Sequence, residues 1–240
     1  MSGRNILVLC LILMAWHALA ASQYLPPLLL PGPLEIIGAW RSRLAVDLCT
    51  TIGRAVCGVI LGTCAAYAVH ALAMRFGLGH LLDREVGISR AVPVVAMLPI
   101  LIIWFGFSEI ARTLIVSFSA LTMIFPMIHD SIRRLPRTWQ LIGERGRLSW
   151  WRNYLEVYLP WSLPEVGSGL RVVMAVALGV SIATEYMGAE NGVGKFLDSA
   201  RGTFNLPGLW LGMLLIGFAG GLADRAIVAA RERFLFWSRE

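Results

Sequence analysis

The sequence predicts an all-α protein that crosses a membrane about six times, and three observations carry that prediction. The chain of 240 residues is 57% hydrophobic and only 15% charged, with a mean hydropathy of +0.69, far more apolar than soluble domains are. Its apolar residues fall in long blocks, not at amphipathic spacing, and several blocks reach the roughly 20 residues that a helix needs to cross a bilayer. Arginines gather in the polar stretches between blocks, as the positive-inside rule expects of cytoplasmic loops.

The first block, Asn5 to Ala21, follows Arg4 and ends in Ala18-Leu19-Ala20-Ala21. That ending resembles a signal-peptide cleavage site, but an uncleaved first span is the favoured reading, because multi-spanning chains commonly open with one. The stretch Pro26-Pro27-Leu28-Leu29-Leu30-Pro31-Gly32-Pro33 is too broken to span and leads to a short amphipathic piece ending near Arg43. Five further blocks run from about Leu44 to Met74, Ile88 to Phe107, Ile110 to Ile128, Val166 to Met187 and Leu206 to Ala223. Two of them contain small-xxx-small patterns, Gly58-Val59-Ile60-Leu61-Gly62 and Gly217-Phe218-Ala219-Gly220-Gly221, which let helix backbones approach closely. The chain thus divides into residues 1–43, with the first span and a Pro-rich extracytoplasmic segment, and a core of residues 44–240 with a long loop at 130–161.

About six spans put both termini on one side. The loop from Asp130 to Trp161 carries Arg133, Arg134, Arg137, Arg145, Arg147 and Arg152, and the tail carries Arg225, Arg231, Arg233 and Arg239, so both are expected in the cytoplasm. The opposite loops hold fewer basic residues. One of them sets Glu190 and Asp198 against Lys195 and Arg201.

Orientation accounts for the formal charge of +6, and nucleic-acid binding is set aside. Cys10, Cys49, Cys57 and Cys64 form no CxxC, so they suggest neither disulfides nor zinc and read as buried small apolar side chains. His17, His70, His80 and His129 lack metal-ligand spacing, and no metal is assigned. A membrane-embedded enzyme would need paired acids, a His cluster or a nucleophile with its base, and none has suggestive spacing. A secondary transporter would show two similar halves and intramembrane ionisable residues, and neither stands out.

The long loop is the anomaly, since about 30 residues between spans is unusual in a compact bundle. Leu141, Ile142, Leu148, Trp150, Trp151, Tyr154, Leu155, Val157 and Tyr158 give it apolar and aromatic content that a disordered, solvated tail lacks. Two uses fit: an amphipathic helix on the membrane surface, or a helix that projects into a groove of a cytoplasmic partner. The loop closes with Leu159-Pro160 and Leu163-Pro164. Proline lacks a donor and biases the preceding residue away from helix, so the helix is expected to break there.

At this loop the chain resembles the permease subunits of bacterial ATP-binding-cassette importers, in the group associated with nitrate, aliphatic sulfonates and taurine. Their cytoplasmic motif is Glu-Ala-Ala, three residues, Gly, nine residues, then Ile-x-Leu-Pro. Val157-Tyr158-Leu159-Pro160 matches its end, Pro164, Gly169, Leu170 and Arg171 match the continuation, and Ser149, Trp151 and Tyr154 fit residue types between. Counting back puts Leu141-Ile142-Gly143 at Glu-Ala-Ala and Arg147 at the glycine, with Glu144 and Gly146 nearby but out of register. Further family features follow in order: Leu30-Pro31-Gly32-Pro33 with Glu35-Ile36-Ile37, Arg90-Ala91-Val92-Pro93 through Pro99, Trp104-Phe105-Gly106, Phe125-Pro126, Glu185 through Gly192-Val193-Gly194, and Asp224-Arg225.

The resemblance implies a type I importer permease fold in the bacterial inner membrane, with both termini cytoplasmic. It implies a homodimer of permease copies, a cytoplasmic ATPase dimer, and an extracytoplasmic binding protein that delivers a small solute, anionic in the manner of nitrate, a sulfonate or taurine. ATP and Mg would sit on the ATPase and no cofactor on this chain, which agrees with the absence of a GxxxxGK[ST] phosphate loop. Glu144, Arg145, Gly146, Arg147, Leu148, Ser149, Trp150, Trp151, Tyr154, Val157, Leu159 and Pro160 would form the coupling segment. Trp150, Trp151 and Tyr154 would be its anchors, while Arg145, Arg147 and Arg152 would pair with acids on the ATPase or with anionic lipid. Pro160 would end the coupling helix and Pro164 begin the fifth span, with Trp161-Ser162-Leu163 as the joint.

Charges beside spans are costly and hence functional candidates. Glu185, near the far end of the fifth span, is a pathway or gating candidate together with Pro93, Met97, Pro99, Met123 and Ser181. Packing is the plainer use of Met97, Met123 and Ser181, and the two prolines suit a hinge, a pore-lining segment or a static kink. Glu109 and Arg112 sit at a span edge where solvation suffices, and Arg171, about a turn into the fifth span, can snorkel.

Overall fold

The structure, a computed structural model, describes residues 3–22, 24, 30–79, 94–106, 108–139, 141 and 148–235. Pro93, Glu144, Arg145, Gly146 and Arg147 lie outside the described residues, as does most of the motif's degenerate half. Among the described residues there is no strand. The helices are α1 (Gly3–Ala21), α2 (Pro33–Gly38), α3 (Arg43–Arg75), α4 (Val94–Phe105), α5 (Glu109–Arg133), α6 (Trp150–Tyr186), α7 (Val193–Gly202) and α8 (Leu206–Phe234). Four of them, α3, α5, α6 and α8, are long and apolar enough to cross a membrane, and shorter apolar stretches lie at Cys10–Ala21 and Ala96–Phe105.

Local chemistry sets several boundaries. Ser108 caps α5 by accepting the Ala111 N–H at 3.1 Å, and Glu109 in the first turn and Arg133 in the last both complement the helix dipole. Asn205 caps α8 through the Gly208 N–H at 3.1 Å, with a proline just inside the helix, where no donor is missed.

The core lies where α3, α5 and α6 meet, with Ala55, Ile115, Ile124, Val166, Val173 and Ala177 among its most buried members. Gly58 and Gly62 create that closeness. A Cβ on Gly58 would sit 2.5 Å from Val116 Cγ1, and one on Gly62 would lie 2.7 Å from the Ala120 Cβ and run into the Ser117 carbonyl. The second small-residue pattern behaves differently. Among the described residues nothing lies within 4 Å of where a Cβ on Gly217 or Gly221 would stand, so both face away from the core of α3, α5 and α6. A smaller cluster of Ile36, Leu44 and Leu211 seats α2 against α8, and Trp16 of α1 lies 5.7 Å from Trp210 between ring centroids.

The expected break at the Leu-Pro pairs is absent, and so is a separate joint at Trp161-Ser162-Leu163. Helix α6 runs unbroken from Trp150 through both prolines. It changes register just before the first of them: Tyr154–Tyr158 is a π-helical turn, closed by the Leu159 N–H on the Tyr154 carbonyl, and the α-helical stretch that follows opens at Leu159 with Pro160 in its first turn. A π-turn accommodates one extra residue and widens the helix, so the site without a donor falls at a register change already made. Trp161 Nε1 adds an outside tie by donating to the Ser131 carbonyl at 2.9 Å.

Two expected boundaries move with this. The fifth apolar block starts its helix at Trp150, not Val166, and the last helix continues past Ala223 to Phe234. The cysteines are also corrected. Cys10, Cys49, Cys57 and Cys64 are all exposed on outer helix faces, where a small soft side chain suits an apolar surrounding as well as it suits a core.

Candidate functional site

The basic end of the bundle carries the first candidate region. Ser149 precedes α6, and Trp150 stacks on Tyr154 with ring centroids 5.5 Å apart and planes at 22°. Trp151 packs edge-on against Trp150 at 4.6 Å. From this stub Trp151 and Leu155 project outward, 51% and 57% exposed. Tyr154 does not. It is only 2% exposed, which removes it from the outward anchors, and Val157 is likewise turned inward. Leu148, Leu159 and Pro160 are half-buried and Ser149 is exposed. Leu155 takes the outward place that the sequence reading gave to Tyr154, because the π-turn changes which residues share a face.

Tyr154 enters a polar cluster between α3, α5 and α6. Its hydroxyl lies 3.1 Å from His70 Nδ1 and donates to the Tyr67 carbonyl at 3.3 Å. The Tyr67 hydroxyl is 3.0 Å from Ser162 Oγ, which donates to the Leu159 carbonyl at 3.0 Å. His70 is fully buried, with His129 and Phe125 of α5 at 5.7 and 5.9 Å between ring centroids. Beside the stub, a cleft of about 710 Å³ is lined by Arg134, Leu135, Trp139, Val157, Pro160 and Trp161 among others.

The other end of the same three helices holds a buried charge cluster. Arg54 of α3 pairs with Glu185 of α6, the first 4% and the second 0% exposed. The Thr51 hydroxyl donates to Glu185 at 2.9 Å and accepts the Val193 N–H at 3.0 Å, and the Gly194 N–H donates to Glu185 at 2.7 Å. Asp47 receives the Gly192 N–H at 2.9 Å. Gly192 has φ +115 and a Cβ there would collide with the Glu185 carboxylate, so the Gly192-Val193-Gly194 turn wraps a carboxylate that only glycine can approach this closely. Arg54 Nε also reaches Glu109 at 3.1 Å, and Glu109 accepts from Arg112 at 2.8 Å.

Arg112 is therefore not solvated at a span edge. It is 4% exposed and donates to the Gly188 carbonyl at 3.0 Å, while Glu109 stays on the surface and bridges both arginines. Sequence reasoning found Glu185 and Ser181 but missed Arg54, Asp47 and Thr51. The signal was their spacing, which puts all three on one face of a helix. Ser181 belongs to the cluster, with Arg54 donating to its hydroxyl at 3.3 Å. Met97 and Met123 instead pack, half-buried, against the core, and Pro99 is exposed within α4. Arg171 does more than snorkel, since it grips Asp224 with two nitrogens, one at 2.8 Å, and ties α6 to α8.

Residues 58–233, which include α5, α6, α7 and most of α3 and α8, match the family model described as the binding-protein-dependent transport system inner membrane component. The chain belongs to that family. This permease is similar to the putative aliphatic sulfonates transport permease SsuC of Bacillus subtilis, 25% identical over 98% of this chain and 87% of that protein. It is also similar to the taurine transport system permease TauC of Escherichia coli, 23% identical over 97% of this chain and 88% of that protein. Its fold matches a chain of the inward-facing MetNI methionine ABC transporter, with a TM-score of 0.56 at 17% identity over 77% of this chain and 96% of that one. The permease therefore has the type I importer fold, is a multi-pass inner-membrane protein, and serves transport rather than catalysis.

Proposed function

We propose that this permease carries a small anionic solute of the sulfonate, taurine or nitrate class, handed over by an extracytoplasmic binding protein. It works as a homodimer above a cytoplasmic ATPase dimer that holds ATP and Mg, and both of its termini are cytoplasmic. One observation carries the docking part: a short helical stub at the arginine-rich end presents Trp151 and Leu155 to the outside and is continuous with a membrane-spanning helix. An ATPase groove gripping that stub would move α6 directly. The solute class is supported by the sulfonate and taurine permeases to which the chain is similar. Ser181 and Glu185 belong, on this reading, to the closure at the extracytoplasmic end.

The test replaces the two tryptophans of the stub, the half-buried Trp150 and the exposed Trp151, by alanine, Trp150→Ala and Trp151→Ala, and measures how much ATPase co-purifies. Hot-spot aromatics lost from an interface weaken it by about 10- to 100-fold, and that loss is expected with insertion unchanged. Normal assembly and coupled uptake would show that the stub rests on lipid and not on an ATPase. The solute is identified by calorimetry of the partner binding protein with taurine, ethanesulfonate and nitrate. Binding of none of these overturns the solute class.

A further inference from the structure

We infer that Tyr67 and His70 of α3 form a two-point clasp on the elbow of α6, meaning its π-turn at Tyr154–Tyr158 and the proline stretch up to Pro164, and are the positioning residues that carry the elbow's movement into the bundle. This rests on the docking reading above. The contacts fall on both sides of the weakest place in α6. Tyr154, at the start of the π-turn, is held by His70 Nδ1 at 3.1 Å and by the Tyr67 carbonyl at 3.3 Å. Ser162, beyond Pro160, is held by the Tyr67 hydroxyl at 3.0 Å. Between them the helix lacks the donor of Pro160, and Pro164 cannot donate back to the Pro160 carbonyl. A helix interrupted in this way bends at the interruption when its end is pushed. Ties placed on either side of it make α3 move with the elbow instead of letting the bend absorb the stroke.

The proton inventory makes the clasp exacting. The Tyr154 hydroxyl has one proton. If it donates to the Tyr67 carbonyl, His70 Nδ1 must be the protonated nitrogen and donate to the tyrosine oxygen. Among the described residues His70 Nε2 is buried without a hydrogen-bond partner, so none of them offers a competing bond that would turn the ring away. The neighbours facing it are Phe125 and His129 of α5 and Tyr154 of α6.

The experiment uses the assembled importer in lipid, with Cys10, Cys49, Cys57 and Cys64 changed to Ala and a single spin label per permease at Leu72 of α3 or at Glu156 of the elbow. Distances between the two permease copies are read with and without Mg-ATP plus vanadate. In the parent both positions shift. In Tyr67→Phe with Tyr154→Phe, which removes two hydroxyls and no bulk, the shift at Glu156 is kept and the shift at Leu72 is lost. A retained shift at Leu72 overturns the clasp. No shift at Glu156 in the parent overturns the docking reading, and the clasp with it. Single variants decide the matter should the double variant fail to assemble: His70→Asn, whose amide reaches the Nδ1 position, keeps the Leu72 shift and His70→Leu loses it. Equal behaviour of the two overturns the proposal.

Discussion

Arg54 and Glu185 neutralise one another in a place where neither meets solvent. Removing one partner of such a pair leaves a buried charge unmatched, which costs about 3–5 kcal/mol, whereas replacing both by apolar side chains is far cheaper. Arg54→Leu is therefore expected to lower stability in detergent by about 3–5 kcal/mol and Glu185→Leu by less, because Arg54 keeps its bond to Glu109, with the double variant less destabilised than the sum of the two. Denaturant unfolding in micelles measures this, and simple additivity would show that the pair is not coupled. The glycines offer a second contrast. Gly62→Ala must push α3 from α5 at a cost of about 1–3 kcal/mol, while Gly217→Ala meets empty space and gains helix propensity of about 1 kcal/mol. Glu185 was legible in the sequence as a lone acid at a span end. Arg54 was not, because a single arginine within an apolar run looks like noise until the face it shares with Asp47 and Thr51 is known.

At the scale of the element, α6 shows how far proline rules reach. A proline deletes one donor and crowds one carbonyl, and a helix tied to its neighbours can tolerate both. Those ties come from Tyr67, His70 and Ser131, residues distant in sequence from Pro160, so local reasoning could not weigh them. The apolar blocks themselves were legible, since their length and composition are local properties. The inward turn of Tyr154 was not, because it follows from a π-turn that no composition rule signals. Pro160→Ala with Pro164→Ala restores two donors and stiffens α6. The expected outcome is normal insertion with impaired uptake of the binding protein's ligand in proteoliposomes, and full uptake would mean that the interrupted stretch has no mechanical part.

For the whole molecule, the two polar clusters sit at opposite ends of one three-helix core. One lies beside the arginine-rich loop and the other beside the balanced loop that follows α6. Charge bias orients such a chain, and the orientation proposed above puts the first end in the cytoplasm. In a background with the native cysteines changed to Ala, Ser199→Cys should react with an impermeant maleimide on intact spheroplasts. Ser149→Cys should react only after permeabilisation. Both residues are exposed, so a reversed pattern would invert the topology. The order of the apolar helices was readable from the sequence, although among the described residues four rather than about six are long and apolar enough to cross a membrane, whereas the partner-facing surfaces depend on contacts made outside a single chain.

The π-turn at Tyr154–Tyr158 also sets a compass bearing. An α-helix turns by about 100° per residue, so one residue added within a turn rotates everything on its amino-terminal side by about that angle relative to the span. Deleting Leu155 would restore an ordinary turn and leave the membrane-crossing part unchanged. Trp150 and Trp151 would then leave the bundle about a quarter-circle away from their present heading, with the same chemistry aimed at the wrong neighbour.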